Sequence, residues 1–283
     1  MKEKHGMRRG ALAALTALAM AMCVQAGDEV KRLTHEQMAA MTEAKSFTAS
    51  NGLTLGYRQH LPKDMTKKHP LLVLMHGVGE IGNDNFKQLV NAAPFILGYI
   101  AEGESHEMVF LAPQCPSGHK WMEESVWEKK SHAFTPEPKK PIAAVIELIE
   151  NAIKTLPVDP DRVYISGLSM GGFATWDIII RRPDLFAAAM PVCGGGDPAS
   201  VTPKLKTLPI WVTHAVNDTC VSPSYARGMV NAFWKMNAAN VRYTEFHEGG
   251  HWVWDPTFRD RQFLNWLLKQ NRQRKPADKV FTR

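Results

Sequence analysis

The stretch Val163-Tyr-Ile-Ser-Gly-Leu-Ser169-Met-Gly-Gly-Phe-Ala-Thr-Trp176 joins a short apolar run, a serine between two glycines and a helical pattern. A chain that turns sharply from a strand into a helix needs residues without side chains two positions before and two positions after the turn. Gly167 and Gly171 occupy these positions. The Ser169 hydroxyl is therefore predicted to project beyond the end of a strand, beside the positive end of a helix, where it can act as a nucleophile.

The rest of the chain alternates between apolar runs and helical spacing. Six apolar, strand-like runs occupy residues 71–75, 108–112, 163–165, 187–192, 210–213 and 241–246. Continuous apolar runs are typical of strands that are buried on both faces. Helical patterns lie between or after them, at residues 141–155, 224–237 and 257–270. The alternation predicts an α/β fold with a mostly parallel central sheet and helices on both faces, in which ligands bind beyond the carboxyl ends of the strands.

The composition is that of a globular protein. The chain has 283 residues, of which 45% are hydrophobic and 22% are charged, and it contains no repeat or low-complexity tract. We expect one folded domain at residues 47–270, preceded by an N-terminal extension at residues 27–46.

The first 26 residues have the pattern of a signal peptide. Basic residues precede an apolar run from Ala11 to Val24, and Val24-Gln-Ala26 ends in the small residues that a signal peptidase reads. The run is short for a membrane span, although an uncleaved anchor is the alternative. The pattern predicts a secreted or periplasmic protein that is not stably inserted in the membrane after cleavage. The segment's four basic residues and one acid account for half of the formal net charge of +6.

A basic tail is expected at residues 271–283. Basic runs can bind nucleic acid or membrane surfaces, but this one has no interleaved aromatic residues, so we interpret it as solvated and expect no nucleic-acid partner. Three cysteines remain after cleavage of the signal peptide, and they permit one disulfide with a free thiol or three thiols: Cys115, Cys193 and Cys220. No cysteine spacing of a metal site is present, and no metal is expected.

Residues 47–270 resemble a known family, most specifically in Ser166-Gly-Leu-Ser-Met-Gly-Gly-Phe-Ala-Thr-Trp176-Asp and in the run from Arg181 to Asp197. They are similar to α/β-hydrolase esterases related to polyhydroxybutyrate depolymerases and to feruloyl or acetylxylan esterases. This group includes proteins described as phospholipase/carboxylesterase-like or as predicted peptidases. The resemblance implies the α/β-hydrolase fold and a serine esterase that needs no cofactor.

The segment Met75-His-Gly-Val-Gly-Glu80 follows the apolar run 71–75. Acyl transfer places negative charge on a carbonyl oxygen, and backbone N–H groups aimed at that oxygen stabilise it. One donor in this fold follows the nucleophile, which is Met170 here. Resemblance to the family's His-Gly-x-Gly segment assigns Val78 as the other donor and makes His76 a structural residue of the loop rather than a base.

The base is predicted to be His251. Hydrolases of this fold order the catalytic residues as serine, acid and histidine, so the base lies beyond Ser169. His251 occurs in Gly249-Gly-His-Trp252, between the run 241–246 and the last helical pattern. His247 is the second choice, and His214 is interpreted as a residue that shapes the acid loop.

The acid is predicted to be Asp218, which follows Asn217 after the expected strand at residues 209–215. The segment resembles the family's acid loop, in which an aspartate precedes a Val-Pro pair, although Ser222 separates Val221 from Pro223 here. That departure leaves the register open, with Asp197 and Asp255 as the alternatives.

Four residues are candidate substrate contacts. Aromatic side chains suit planar groups or sugars, which makes Trp121, Trp127 and Trp252 candidates, whereas Trp176 is interpreted as packing. The two loop tryptophans, Trp121 and Trp127, belong to the irregular stretch 113–140, which we expect to form a rim over the site. The resemblance adds Glu80.

The resulting hypothesis is an ester hydrolase with an acyl-serine intermediate. Its expected substrates are acetyl or feruloyl esters of plant polysaccharide, or small esters. A serine peptidase would use the same catalytic set, and a non-catalytic binding protein on the same scaffold is the alternative from another class.

Overall fold

The computed structural model describes residues 29–122 and 132–273. The predicted signal peptide, Trp127 and most of the predicted basic tail therefore lie outside the described residues. Within the tail, Arg272 is anchored: its guanidinium forms an ion pair with Asp161 at 3.1 Å.

Eight strands form one sheet in the order β1-β2-β4-β3-β5-β6-β7-β8. The strands are β1 (Glu43–Thr48), β2 (Thr54–His60), β3 (His69–Met75), β4 (Val109–Gln114), β5 (Val158–Leu168), β6 (Ala188–Val192), β7 (Ile210–Ala215) and β8 (Val241–Phe246). The pairs β1–β2 and β2–β4 are antiparallel, and all other pairs are parallel. The prediction of a mostly parallel α/β sheet is confirmed.

The helices are α1 (His35–Met41), α2 (Ala93–Ala101), α3 (Lys140–Thr155), α4 (Met170–Arg181), α5 (Ser224–Lys235), α6 (Trp254–Arg259) and α7 (Arg261–Leu268). The pattern at 257–270 is divided between two helices, because Asp260 leaves the helical conformation and its side chain caps the start of α7 by accepting from Gln262 N. Helix α2 was not predicted, because eight of its nine residues are buried and it lacks the polar face that marks a surface helix.

The core lies in two layers, one on each face of the sheet. In β3, Leu71, Val73 and Met75 belong to one layer, whereas Leu72 and Leu74 belong to the other. Side chains of a strand alternate between faces, so a strand covered on both sides must be apolar at every position. This geometry explains the continuous apolar runs in the sequence.

The segment predicted as an extension contributes to the domain. Strand β1 crosses the expected boundary between residues 46 and 47. Val30, Leu33 and Met38 are buried in the layer that contains α2, α6 and α7. Thr34 and Gln37 form a capping box at the start of α1. Three side chains of the predicted extension therefore belong to the core, although most of its residues are exposed.

Candidate active site

Ser169 lies at the turn between β5 and α4. Its backbone has φ 55° and ψ −120°, a conformation that non-glycine residues rarely adopt, and its N–H donates to Val192 O at 3.0 Å. A Cβ at Gly171 would overlap the carbonyl oxygen of Met75, and one at Gly167 would lie 2.7 Å from Met75 Cβ. The two glycines let the turn approach the end of β3, which holds the Ser169 hydroxyl at the carboxyl edge of the sheet.

The structure brings together Ser169, His251 and Asp218. His251 Nε2 lies 2.9 Å from Ser169 Oγ, and His251 Nδ1 lies 2.8 Å from Asp218 Oδ2. With Asp218 ionised, Nδ1 must carry the proton that it donates to the carboxylate. This tautomer leaves the Nε2 lone pair free to accept from the Ser169 hydroxyl.

Asp218 lies in a loop that favours its ionised form. Oδ1 accepts from the backbone N–H groups of Cys220 and Val221, both at 2.9 Å, while Oδ2 also lies 3.2 Å from His214 Nε2. Burial alone would raise the pKa of Asp218, but hydrogen bonds from His214, His251 and Val221 outweigh it and hold the pKa well below its usual range. The side chain is therefore an anion at neutral pH.

The loop that carries His251 is tied to the acid loop. Gly249 and Gly250 both have positive φ, at 104° and 54°, which permits the tight turn before His251. Gly250 N donates to Asn217 Oδ1 at 3.0 Å. Sequence reasoning missed this role of Asn217, although its position next to Asp218 was a local signal.

The alternative residues lie elsewhere. His214 is buried beneath the acid loop and contacts Val221 O at 3.0 Å, whereas His247 is exposed. Asp197 caps a 3₁₀ turn by accepting from Ala199 N, and Asp255 pairs with Arg259. Neither aspartate is the partner of His251 Nδ1.

The loop after β3 lies beside the serine. Met75 pairs in register with Gly167, so the loops after β3 and β5 begin side by side. A Cβ at Gly77 would lie 3.0 Å from Leu168 Cδ1 and 3.6 Å from Ser169 Cβ. The next amide along the chain is Val78 N. Met170 N is the first amide of α4, and such amides have no acceptor within the helix.

His76 orients the peptide group that contains Val78 N. Its Nε2 accepts from Cys115 N at 2.8 Å, so Nδ1 carries the proton and donates to Gly77 O at 2.6 Å. In a trans peptide the C=O and N–H groups point in opposite directions. The Val78 N–H therefore points away from the His76 ring. Burial lowers the pKa of His76 to about 4, which keeps the ring neutral.

A family model described as phospholipase/carboxylesterase matches residues 61–267. The chain belongs to this family. It is 28% identical over 156 residues to poly(3-hydroxyalkanoate) depolymerase C of Paucimonas lemoignei, an alignment that covers 55% of this chain and 35% of the depolymerase. It is 23% identical over 179 residues to a bifunctional acetylxylan esterase/xylanase of Neocallimastix patriciarum, covering 62% of this chain and 23% of that protein. The chain thus spans about a third or less of the length of these curated relatives.

The fold has a close counterpart among solved structures. The crystal structure of a thermostable esterase matches with a TM-score of 0.74 and 35% identity, covering 83% of this chain and 64% of the esterase chain. The predicted resemblance to α/β-hydrolase esterases is confirmed by this match and by the family model.

Two expected substrate contacts of this carboxylesterase-family chain are buried instead. Glu80 and Trp121 are each 1% exposed. Glu80 Oε2 accepts from Gly77 N at 2.8 Å, and Trp121 Nε1 donates to His76 O at 3.2 Å. Both side chains thus support the loop from inside. Trp176 is buried against Phe233, as expected of a packing residue.

Trp252 is placed differently from these buried residues. Its side chain is 65% exposed, and its ring centroid lies 6.5 Å from that of His251. Trp127, the remaining candidate, lies outside the described residues.

One group in the described part of this carboxylesterase-family chain has potential metal ligands close together. Single ligand atoms of Asp218, Cys220 and His251 lie within 4.8 Å of one another. Two nitrogens of His251 and both oxygens of Asp218 already make hydrogen bonds, so a metal ion would have to displace these contacts. The geometry fits a hydrogen-bonded set better than a metal centre.

The three cysteines of the described residues are free thiols, which excludes the expected alternative of a disulfide between them here. Across residues 29–122 and 132–273, no helix combines the length and apolar character needed to cross a bilayer.

Proposed function

We propose that the protein is a serine hydrolase of carboxylic esters. The observation that carries the proposal is the continuous hydrogen-bonded chain from Ser169 Oγ through His251 to the Asp218 carboxylate. A serine hydroxyl is a weak nucleophile until a neighbouring base takes its proton, and a base held by a buried carboxylate has the required tautomer. A protein that only bound esters would not need this arrangement.

In the acylation half-reaction, Ser169 Oγ attacks the ester carbonyl carbon while His251 Nε2 takes the hydroxyl proton. The carbonyl oxygen becomes an oxyanion, and the N–H groups of Val78 and Met170 stabilise it by hydrogen bonds. Collapse of the tetrahedral intermediate breaks the carbon–oxygen bond to the alcohol. His251 gives its proton to the departing alkoxide, so an alcohol leaves and an acyl-serine remains.

In the deacylation half-reaction, His251 takes a proton from water, and the resulting hydroxide attacks the acyl carbon. The same two amides stabilise the second oxyanion. Its collapse releases the carboxylic acid, and Ser169 Oγ takes back the proton from His251. The sum of the two halves is ester plus water giving acid plus alcohol, and no cofactor enters the balance.

An apolar rim supports a substrate with an aromatic or sugar group. Val78, Val216 and Trp252 are large hydrophobic residues whose side chains remain exposed. They belong to the three loops that carry, respectively, the oxyanion amide, the acid and the base. We therefore propose acetyl or feruloyl esters, either small or linked to plant polysaccharide, with Trp252 as a contact for the planar group. The acetylxylan esterase relative is consistent with this class.

Export is also part of the proposal. Cleavage after Ala26 would yield a mature chain that begins at Gly27. N-terminal sequencing of the protein recovered outside the cytoplasm tests it, and an intact Met1 on that protein would contradict it.

A fluorophosphonate probe separates an enzyme from a binding protein. The parent protein should form a covalent adduct on Ser169, as located by peptide mass spectrometry, and the Ser169→Ala variant should form none. Hydrolysis of p-nitrophenyl acetate, methyl ferulate and acetylated xylan then defines the ester class, with a peptide p-nitroanilide to test for peptidase activity. An unlabelled, inactive but folded parent would overturn the proposal.

A further inference from the structure

Gly77 is held on both sides by buried side chains. Its N–H donates to Glu80 Oε2 at 2.8 Å, and its carbonyl oxygen accepts from His76 Nδ1 at 2.6 Å. A Cβ at Gly77 would lie 3.0 Å from Leu168 Cδ1, a contact tight enough to favour glycine. Glycine is also the residue whose backbone rotates most freely. The close approach of Gly77 to the turn at Ser169 therefore places a flexible residue directly before Val78, and the side chains of Glu80 and His76 restrain it.

The Glu80 carboxyl group lies in the protein interior. It is 1% exposed, and among the described residues its second oxygen, Oε1, has no hydrogen-bond partner. Hydrogen bonds from Gly77 and Asn91 favour the ionised form, but they do not offset the cost of burying a carboxylate. Burial accordingly raises the pKa of Glu80 to about 8, so the neutral acid is the main form at neutral pH. The neutral acid can accept from Gly77 through its carbonyl oxygen and keeps negative charge away from a nearby oxyanion.

We propose that Glu80 is a positioning residue for the oxyanion site, because its buried carboxyl group holds the Gly77 amide and thereby fixes the direction of the Val78 N–H. The inference rests on the proposed function, since it takes Val78 as an oxyanion donor. Glu80 would touch neither substrate nor reacting atoms. Its effect would pass through the backbone of Gly77, from Gly77 N to the peptide group that contains Gly77 O and Val78 N.

The proposal requires an acceptor at Oε2 and sufficient reach, but no charge. Glu80→Gln keeps the length of the side chain and a carbonyl oxygen that can accept from Gly77 N. Glu80→Met has a similar size but no acceptor of comparable strength, and Glu80→Asp keeps the carboxyl group on a side chain one methylene too short. The three variants separate acceptor, reach and charge.

The experiment measures kcat and KM for p-nitrophenyl acetate, together with Tm, in the parent and the three variants. We expect Glu80→Gln to retain kcat within about threefold, and Glu80→Met and Glu80→Asp to lose about ten- to a hundredfold in kcat with little change in KM, because only a transition-state interaction is misaligned. Inhibition by an aryl trifluoromethyl ketone, which forms a tetrahedral oxyanion adduct with the serine, should weaken in parallel with kcat.

Asn240→Ala is the matched control for lost stability. Asn240 is also buried and donates to Leu205 O at 2.8 Å, at the opposite end of the sheet. It should lower Tm and leave kcat nearly unchanged. A Glu80→Asp variant that folds and keeps the parental kcat overturns the inference, as does a Glu80→Gln variant as impaired as Glu80→Met. If Glu80→Met does not fold, the comparison of Glu80→Asp with Glu80→Gln decides. Failure of the proposed function would instead appear as an inactive parent.

Discussion

The candidate site contains two buried carboxyl groups whose pKa values are shifted in opposite directions. Asp218 belongs to the acid–base side, with His251 and Ser169, and Glu80 belongs to the oxyanion side, with Gly77 and Val78. On the acid–base side, Asp218 accepts hydrogen bonds from two backbone amides and lies against two histidines, and its pKa is held below the usual range. On the oxyanion side, Glu80 accepts from Gly77 N, and burial outweighs the hydrogen bonds from Gly77 and Asn91 and raises its pKa to about 8. The balance between the cost of burial and the hydrogen bonds that favour the anion decides which state is stable.

The difference matches what each half must do in the proposed reaction. The acid–base side needs a fixed negative charge to stabilise the imidazolium that forms when His251 takes a proton. The oxyanion side needs a neutral support, because a carboxylate close to the developing oxyanion would oppose it. Carboxyl groups whose surroundings push their pKa values apart are a means of assigning such roles within one site.

The largest effect is expected from a substitution that removes Ser169 Oγ, the proposed nucleophile. Ser169→Ala should lower kcat by about 10⁶-fold, because the base then has no hydroxyl to activate and the oxyanion site has no adduct to bind. Activity with p-nitrophenyl acetate, corrected for the uncatalysed rate, measures this loss. A residual activity within tenfold of the parent would show that the chemistry occurs elsewhere.

A second substitution tests the charge on the acid–base side. Asp218→Asn should lower kcat by about 10⁴-fold at neutral pH, because an amide can stabilise the wrong tautomer of His251. Asp197→Asn and Asp255→Asn are the matched controls. Neither side chain contacts His251, so both should stay within about threefold of the parent. Equal losses in Asp218→Asn and Asp255→Asn would refute the assignment of the acid.

The pH dependence of the free energy of unfolding tests whether the Glu80 carboxyl group is protonated in the folded protein. The pKa of Glu80 rises from an ordinary 4.5 to about 8 on folding, so the folded chain retains a proton that the unfolded chain releases above pH 4.5. The stability that this proton contributes is full below pH 4.5 and is lost as pH rises to about 8. Relative to Glu80→Gln, the parent should lose up to about 1.4 kcal/mol of unfolding free energy per pH unit in that window.

Urea denaturation of the parent and Glu80→Gln at several pH values between 5 and 8 measures this difference, in which the other titrating groups largely cancel. A difference that does not change with pH would mean that Glu80 is ionised throughout, and the contrast between the two carboxyl groups would disappear.

The smallest effect is expected from a substitution of Trp252, an exposed residue that belongs to neither the acid–base side nor the oxyanion side. Trp252→Ala should raise KM for methyl ferulate by about three- to tenfold and change KM for p-nitrophenyl acetate less, because only the larger acyl group reaches the indole. Trp234→Ala is the control, since Trp234 is also exposed, at 51%, but lies on α5. A KM effect of equal size in both variants would argue against a substrate contact at Trp252.

The sequence predicted a feature well wherever the residues that form it lie in one continuous segment. The elbow needs Gly167 and Gly171 at fixed distances from Ser169, and the structure shows both glycines against the end of β3. The continuous apolar runs predicted the buried strands because alternate residues face two core layers. The sheet's mostly parallel arrangement followed from the same pattern.

Sequence was less informative where a side chain's surroundings come from distant segments. Glu80 was expected to contact substrate from the family resemblance, and Trp121 because it is an aromatic residue in an irregular stretch. Both are buried, because the end of β4 and the loop after it close over the segment 76–80: Gln114 Nε2 donates to Glu80 O at 3.1 Å, and Cys115 N donates to His76. No periodicity in the chain encodes those contacts.

The amino-acid order by itself determined the strand–turn–helix elbow, the succession of buried strands and the sequence of candidate residues from Ser169 to His251, because these depend on spacing along the chain. Only the tertiary structure decided that His251 contacts both Ser169 and Asp218, and that Glu80 is buried, with a raised pKa, rather than a surface group. The physical reason is that burial and hydrogen bonding set the state of an ionisable side chain, and burial, like the contact of Asp218 with His251, depends on segments far away in sequence.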